Sequence, residues 1–210
     1  MEAVQVRQSR HEPIQDRGRR TREKVLDAAR KVLVRRGYEA ARVEEITRLA
    51  RVGYGTFYKY FHNKQDVLEA VMDQVYTELN QASFPTQVDT SRLEDQIRTG
   101  ITNYLRVYFK NREVLLALQP AAQMSPRIRK FLAEMRERDV QWMVDQLRNL
   151  SQQGWKIRSN SEVFSVAMLQ SVDAVAQDWI TRRSHLKLEE VADTLCEIWF
   201  RTILPSRPAQ

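Results

Sequence analysis

The chain has 210 residues, of which 42% are hydrophobic and 29% charged, with 6 Gly, 6 Pro and a formal net charge of +7. Average usage would put Gly near ~7% and Pro near ~5%, so turn-forming residues are scarce, which argues against a sandwich, propeller or barrel and for long helices. No apolar run approaches the roughly 18 residues of a membrane span, the polar N-terminus lacks the apolar core of a secretory signal, and a lone cysteine, Cys196, excludes a disulfide framework; a soluble, cytoplasmic, all-α protein is expected.

Residues 1–18 carry Pro13, Gly18 and several Arg and Gln, and read as a flexible basic arm. From Thr21 onward Val25, Ala28, Ala29, Val32 and Leu33 recur on one helical face, and Gly37 supplies a stop. A short helix is expected over Val43–Ala50, with Val43, Ile46, Leu49 and Ala50 inward. A three-residue turn, residues 51–53, leads to an aromatic helix over residues 54–61. Asn63 caps the next helix, with Asp66 at the position that reaches back, and Val67, Leu68, Val71 and Val75 form its buried face. The pattern breaks around Phe84 and Pro85, which gives a linker over residues 82–91. Ser91 and Glu94 have capping-box spacing before a helix with Leu93, Ile97, Ile101, Tyr104, Leu105 and Tyr108. A stretch over residues 112–119 ends where Pro120 disturbs it. Ser125 followed by Pro126 starts a long amphipathic helix that Gly154 terminates. Ser159 and Glu162 repeat the capping-box spacing before a helix to about Thr181, and a last helix covers residues 188–203. That makes about nine helices, with no strand and no repeat.

The charge is segregated. Residues 1–64 hold 16 Lys+Arg against 8 Asp+Glu, while the remainder holds 18 against 19. A basic first third beside a near-neutral remainder is the electrostatic footprint of nucleic-acid binding. Within it, residues 43–61 read as two short helices around a tight turn, a helix-turn-helix whose second helix fits a major groove while the first braces it.

Ile46, Ala50, Val52, Gly55-Thr56-Phe57-Tyr58, Tyr60-Phe61, Asn63-Lys64 and Leu68 carry a close resemblance to the TetR family of bacterial transcriptional regulators, over about residues 21–75. The chain departs from that pattern at Arg51, where the family has Gly, and at Gly53, where it has Ser or Thr. Thr47 stands in place of a small Ala, and Arg42 in place of a hydroxyl cap. The resemblance implies a helix-turn-helix domain over residues 19–65 and a ligand-binding and dimerisation domain over residues 66–210. It assigns DNA contact to Tyr54, Gly55, Thr56, Tyr58, Lys59, Tyr60 and Lys64, with Phe57 and Phe61 packed inward. Arg48 reaches either the DNA or Glu44 and Glu45. Arg20, with Arg17, Arg19 and Arg22, either follows the DNA or stays solvated.

The same resemblance implies a homodimer on a palindromic double-stranded DNA operator, released by a small-molecule effector. The dimer seam falls on residues 161–181 and 188–203, with Val172, Trp179, Leu195, Ile198 and Trp199 as its anchors and Val163, Val166 and Val175 beside them. Tyr104, Tyr108, Gln119, Met124, Trp142, Met143, Phe164 and Met168 are the residues expected around an apolar or aromatic effector. An activator or protein-gated regulator with the same DNA-binding module is the alternative, and a helical enzyme or small-molecule carrier is a third. The third lacks support in the sequence. His11, His62 and His185 have no ligand spacing, no Gly loop cradles a phosphate, and no cofactor or metal is called for.

Overall fold

The computed structural model describes residues 14–83, 92–155 and 160–203. Among these there are nine helices and no strand: α1 (Ile14–Ala40), α2 (Val43–Ala50), α3 (Tyr54–Tyr58), α4 (Lys64–Ser83), α5 (Leu93–Lys110), α6 (Arg112–Met124), α7 (Pro126–Gln152), α8 (Ser161–Arg182) and α9 (Leu188–Ile203). None is long and apolar enough to cross a membrane. The chain forms two compact units that meet in sequence between Val71 and Met72, inside α4.

The first unit is built on the apolar stripe of α1. Val25, Leu26, Ala29, Val32 and Leu33 are fully buried, together with Ile46 of α2, Phe57 of α3 and Val67, Leu68 and Val71 of α4. Helix α1 starts at Ile14, so residues 14–18 of the expected arm are helical, and residues 1–13 lie outside the described part. The helical run is broken at Gly37, whose φ of +73° a side chain would oppose. In α2 the buried face holds Ile46, Thr47 and Ala50. Leu49 was expected inward but is exposed; Thr47 takes its place and hides its hydroxyl by donating to the Glu44 carbonyl. Helix α3 is shorter than expected. It closes at Tyr58, although Phe61 N–H still donates to the Phe57 carbonyl.

The turn between α2 and α3 shows what the departures do. Arg51 adopts the left-handed conformation, φ 56° and ψ 45°, while its N–H donates to the Arg48 carbonyl and that of Val52 to Thr47. Neither Arg42 nor Gly53 gives its helix a side-chain cap. A non-glycine residue in this region is strained by roughly 1–2 kcal/mol, and the greater freedom of unfolded Gly returns about half of that. Arg51→Gly is therefore expected to raise the unfolding free energy by about 0.5–1 kcal/mol. Urea unfolding checks it, and an unchanged or lower midpoint would show that the turn is not strained.

The second unit packs α5, α7, α8 and α9 around Ile101, Leu105, Met143, Leu147, Phe164, Met168, Trp179, Leu195 and Cys196. Its helix ends follow local rules. The Ser125 hydroxyl accepts from Ile128 N–H ahead of Pro126. Gly154, at φ +91°, ends α7 with Trp155 N–H donating to the Leu150 carbonyl. Helix α8 is capped by Asn160, which accepts from Glu162 and Val163 N–H; Ser159, the expected cap, lies outside the described residues. Arg92 precedes α5 without a side-chain cap, and Ser91 also lies outside. Helix α6 runs through Pro120 to Met124, past the expected stop, held by buried Leu118 and Ala121. Helix α4 extends to Ser83, and residues 84–91 of the expected linker are not described.

Candidate functional site

The reading head is a buried anchor between exposed aromatics. Phe57 is fully buried, whereas Tyr54 and Tyr58 on either side of it are 48% and 52% exposed. The Phe57 ring meets Tyr58 edge-on at 5.3 Å and Phe61 at 5.7 Å, so α3 is fixed from behind while its tyrosines face water. Gly55 and Lys59 are exposed and Thr56 is half-buried. A Cβ on Gly55 would meet nothing within 4 Å. The missing side chain thus relieves no internal crowding and leaves bare backbone at the surface.

Arg48 is exposed and makes no ion pair among the described residues. The two carboxylates that could take it are engaged elsewhere: Glu45 pairs with Arg36 at 3.3 Å, and Glu44 lies against Tyr54. Desolvation and then the Glu44 charge push the Tyr54 hydroxyl pKa up, so the phenol stays a proton donor. Tyr60 is half-buried, with its hydroxyl 3.5 Å from where a Cβ on Gly18 would lie. Arg20 is exposed on α1, and Arg22 stacks over the Phe61 ring at 5.5 Å.

Lys64 has another employment. Its ammonium donates to the carbonyls of Tyr38 (3.1 Å) and Glu39 (2.9 Å) and sits 5.2 Å from the centre of the Tyr38 ring. A cation at the first turn of a helix is disfavoured by the dipole of that helix, but here it satisfies the last carbonyls of α1. Next to it, Asn63 accepts from Asp66 N–H, and the Asp66 carboxylate accepts from the N–H and Nδ1 of His62. Lys64 is in this geometry a tie between α1 and α4.

The second unit holds a partly open cavity of about 190 Å³. Tyr76, Asn80 and Ser83 of α4 line it with Ile97, Gly100, Ile101 and Tyr104 of α5. Leu132, Arg136, Asp139, Trp142 and Met143 of α7 complete it with Leu169, Val172 and Asp173 of α8 and Trp199 of α9. Of the eight residues expected around a ligand, Tyr104, Trp142 and Met143 line this cavity. Tyr108 is off the lining, its ring 5.7 Å from that of Tyr104. Phe164 and Met168 belong to the packed core, Gln119 is exposed, and the side chain of Met124 lies outside the described residues.

The wall is more polar than the sequence suggested. Asp173 accepts from the Tyr104 hydroxyl and pairs with Arg136 at 3.1 Å. Asp139 accepts from the Asn80 amide at 2.9 Å. Burial, together with the Asp173 charge, holds the Tyr104 and Tyr108 hydroxyls well above the usual phenol range and pushes Tyr76 up to about 12. Burial likewise raises Asp139 to about 6. Tyr76, Asn80, Arg136, Asp139 and Asp173 escaped sequence reasoning. They sit on three helices, and their only signal was a polar residue at intervals on otherwise apolar faces. Among the described residues, no three His, Cys, Asp or Glu side chains are grouped to hold a metal ion.

Four of the five residues expected to anchor a dimer seam are buried within their own chain: Val172, Trp179, Leu195 and Trp199. Val172 and Trp199 reach the cavity, and the Trp179 indole N–H donates to the Leu186 carbonyl at 3.0 Å. Ile198 is exposed, as are Val163, Val166 and Val175.

Two stretches of the chain match known families. Residues 25–71 match the bacterial regulatory proteins of the tetR family, and residues 93–201 match the tetracyclin repressor-like C-terminal domain. The chain is 29% identical to the HTH-type transcriptional repressor NicS of Pseudomonas putida over 99 residues, 47% of each protein; it spans about half the length of that relative. It is 20% identical to the uncharacterized HTH-type transcriptional regulator YhgD of Bacillus subtilis, over 81% of this chain and 90% of that one. Among solved structures, Salmonella enterica GusR superposes with a TM-score of 0.72 at 16% identity, over 88% of this chain and 95% of that one. NalD, the secondary repressor of the MexAB-OprM multidrug efflux pump in Pseudomonas aeruginosa, gives 0.70 at 16% identity, over 90% and 98%. At these identities the structural likeness is one of fold.

Proposed function

Because the chain belongs to the TetR family of bacterial regulatory proteins, we propose that it is a homodimeric, cytoplasmic repressor that grips a palindromic operator through α3 and releases it when a small molecule enters the cavity of the second unit. The observation that carries the DNA-binding half is the pairing of a fully buried Phe57 with half-exposed Tyr54 and Tyr58. Exposed aromatics on a helix anchored from behind, with exposed Lys59 and Arg48 in the same helix-turn-helix, are suited to phosphate and base contact. The bare backbone at Gly55 permits close approach. Arg20 and the basic turns of α1 add charge for backbone contact. The family is one of regulators, which leaves the enzyme reading without support.

Dimerisation is supported by an exposed, uncharged row on α8: Val163, Val166, Ala167, Gln170, Ala174 and Gln177. Ile198 of α9 is a further exposed apolar side chain. A palindromic operator needs two reading heads at fixed spacing. Release works through α4, which starts in the first unit and supplies Tyr76, Asn80 and Ser83 to the cavity of the second. To turn operator occupancy from 99:1 to 1:99, the effector must prefer the released state by about 5.5 kcal/mol.

Operator titration across a salt series tests the assignment. Lys59→Ala and Arg48→Ala are each expected to lower the salt slope by about one unit. Lys64→Ala is expected to leave the slope intact and to lower the melting temperature, because its ammonium serves two carbonyls. A slope unchanged in the first two and reduced in the third would move the phosphate contact to Lys64.

A further inference from the structure

The cavity carries a charge imbalance that its own side chains do not cancel. Its lining holds three charged groups, Arg136, Asp139 and Asp173, which leaves one carboxylate in excess. Arg136 and Asp173 neutralise each other at 3.1 Å, and the second oxygen of Asp173 is taken by the Tyr104 hydroxyl. Asp139 is different. It accepts from the neutral amide of Asn80 and makes no ion pair among the described residues, Arg136 and Arg138 acting on its charge from farther away. Around it the wall is aromatic, with Trp142, Trp199, Tyr76 and Tyr104. A half-buried carboxylate with no direct ion pair is costly to ionise and favours a ligand cation, and aromatic faces attract a cation through their quadrupoles.

Resting on the reading of this cavity as the effector site, we infer that the effector is an aromatic amine, whose ring packs against the tryptophans and whose ammonium pairs with Asp139. The cavity volume, about 190 Å³, suits a single fused-ring compound. An anionic ligand is disfavoured because the one cation of the wall, Arg136, is already paired. A neutral aromatic ligand fits the ring site but leaves Asp139 as it was. The pH response follows from the groups that face Asp139, namely Asn80 and Tyr76 on α4, Arg136 and Arg138 on α7 and Asp173 on α8. Burial brings Asp139 itself to about 6, so the cation preference is present above that pH and fades below it.

Three indoles of one shape and different charge test the inference by calorimetric titration of the full-length protein without DNA: tryptamine (cation), tryptophol (neutral) and indole-3-acetate (anion). At pH 7.5 tryptamine is expected to bind about tenfold more tightly than tryptophol, with indole-3-acetate weakest. The preference should shrink severalfold at pH 5. Asp139→Asn, which keeps a polar group of the same size for Asn80, should remove the tryptamine preference while tryptophol affinity stays within about twofold; melting curves confirm that the variant is folded. Equal or tighter binding of tryptophol or indole-3-acetate overturns the charge assignment, as does a tryptamine preference that survives Asp139→Asn. Binding of none of the three overturns the aromatic ligand class. Operator release is measured separately. A tryptamine preference without release would leave this inference standing and count against the repressor mechanism instead.

Discussion

Trp179→Ala is expected to lower the unfolding free energy by about 3–5 kcal/mol, the range for removing a buried tryptophan. The side chain is 5% exposed, its ring lies 5.2 Å from that of Phe109, and its indole N–H holds the Leu186 carbonyl in the turn between α8 and α9. The variant loses packing in the core and leaves a carbonyl without its partner. Ile198→Asp should behave in the opposite way. Ile198 is 46% exposed on α9, so a charge there costs the isolated subunit little but would be buried in a dimer seam without a partner. Denaturation and sedimentation velocity separate the two. The expected result is a destabilised protein for Trp179→Ala and a well-folded monomer for Ile198→Asp. A stable monomer from Trp179→Ala would make that tryptophan an interface anchor, and a persistent dimer from Ile198→Asp would place the seam elsewhere.

Gly100→Val is expected to destabilise the second unit by about 1–3 kcal/mol, the usual cost of overpacking. A Cβ at Gly100 would fall 2.5 Å from the carbonyl oxygen of Ser83. That atom is backbone, so α4 and α5 must move apart to admit it. Helix propensity opposes this loss by only a few tenths of a kcal/mol, because Val is a slightly better helix former than Gly. Both residues line the cavity, so the crossing also sets its shape. Urea unfolding gives the sign. A stability equal to that of the unsubstituted protein would mean that the two helices do not depend on the close approach.

Tyr104, Trp142 and Met143 show how far a pattern of large residues reaches. They were expected at a ligand and they line the cavity. Phe164 and Met168 have the same chemistry and lie in the core. Met143 belongs to that core as well as to the cavity wall, so what separates the two groups is which side of each helix meets the opening, and no local signal encodes that. Lys64 makes the same point. Its spacing within the motif was legible, but its partners, Tyr38 and Glu39, come from 25 and 26 residues upstream.

Features whose cause lies within one or two turns of helix are legible along the chain. These are the break at Gly37, the caps at Asn63 and Ser125, the stop at Gly154, the strained Arg51 turn and the inward Phe57 between outward tyrosines. Each follows from a backbone conformation or a period of 3.6 residues, and both can be read from neighbours in the chain. Which amphipathic residues meet depends instead on the packing of helices distant in the chain. That packing turned Trp179 and Trp199 into their own subunit and left Val163, Val166 and Ile198 in water. It also brought Asn80, Arg136, Asp139 and Asp173 from three helices to one cavity. Those outcomes depend on how helices cross and rotate against one another, which the side chains on both facing surfaces fix together.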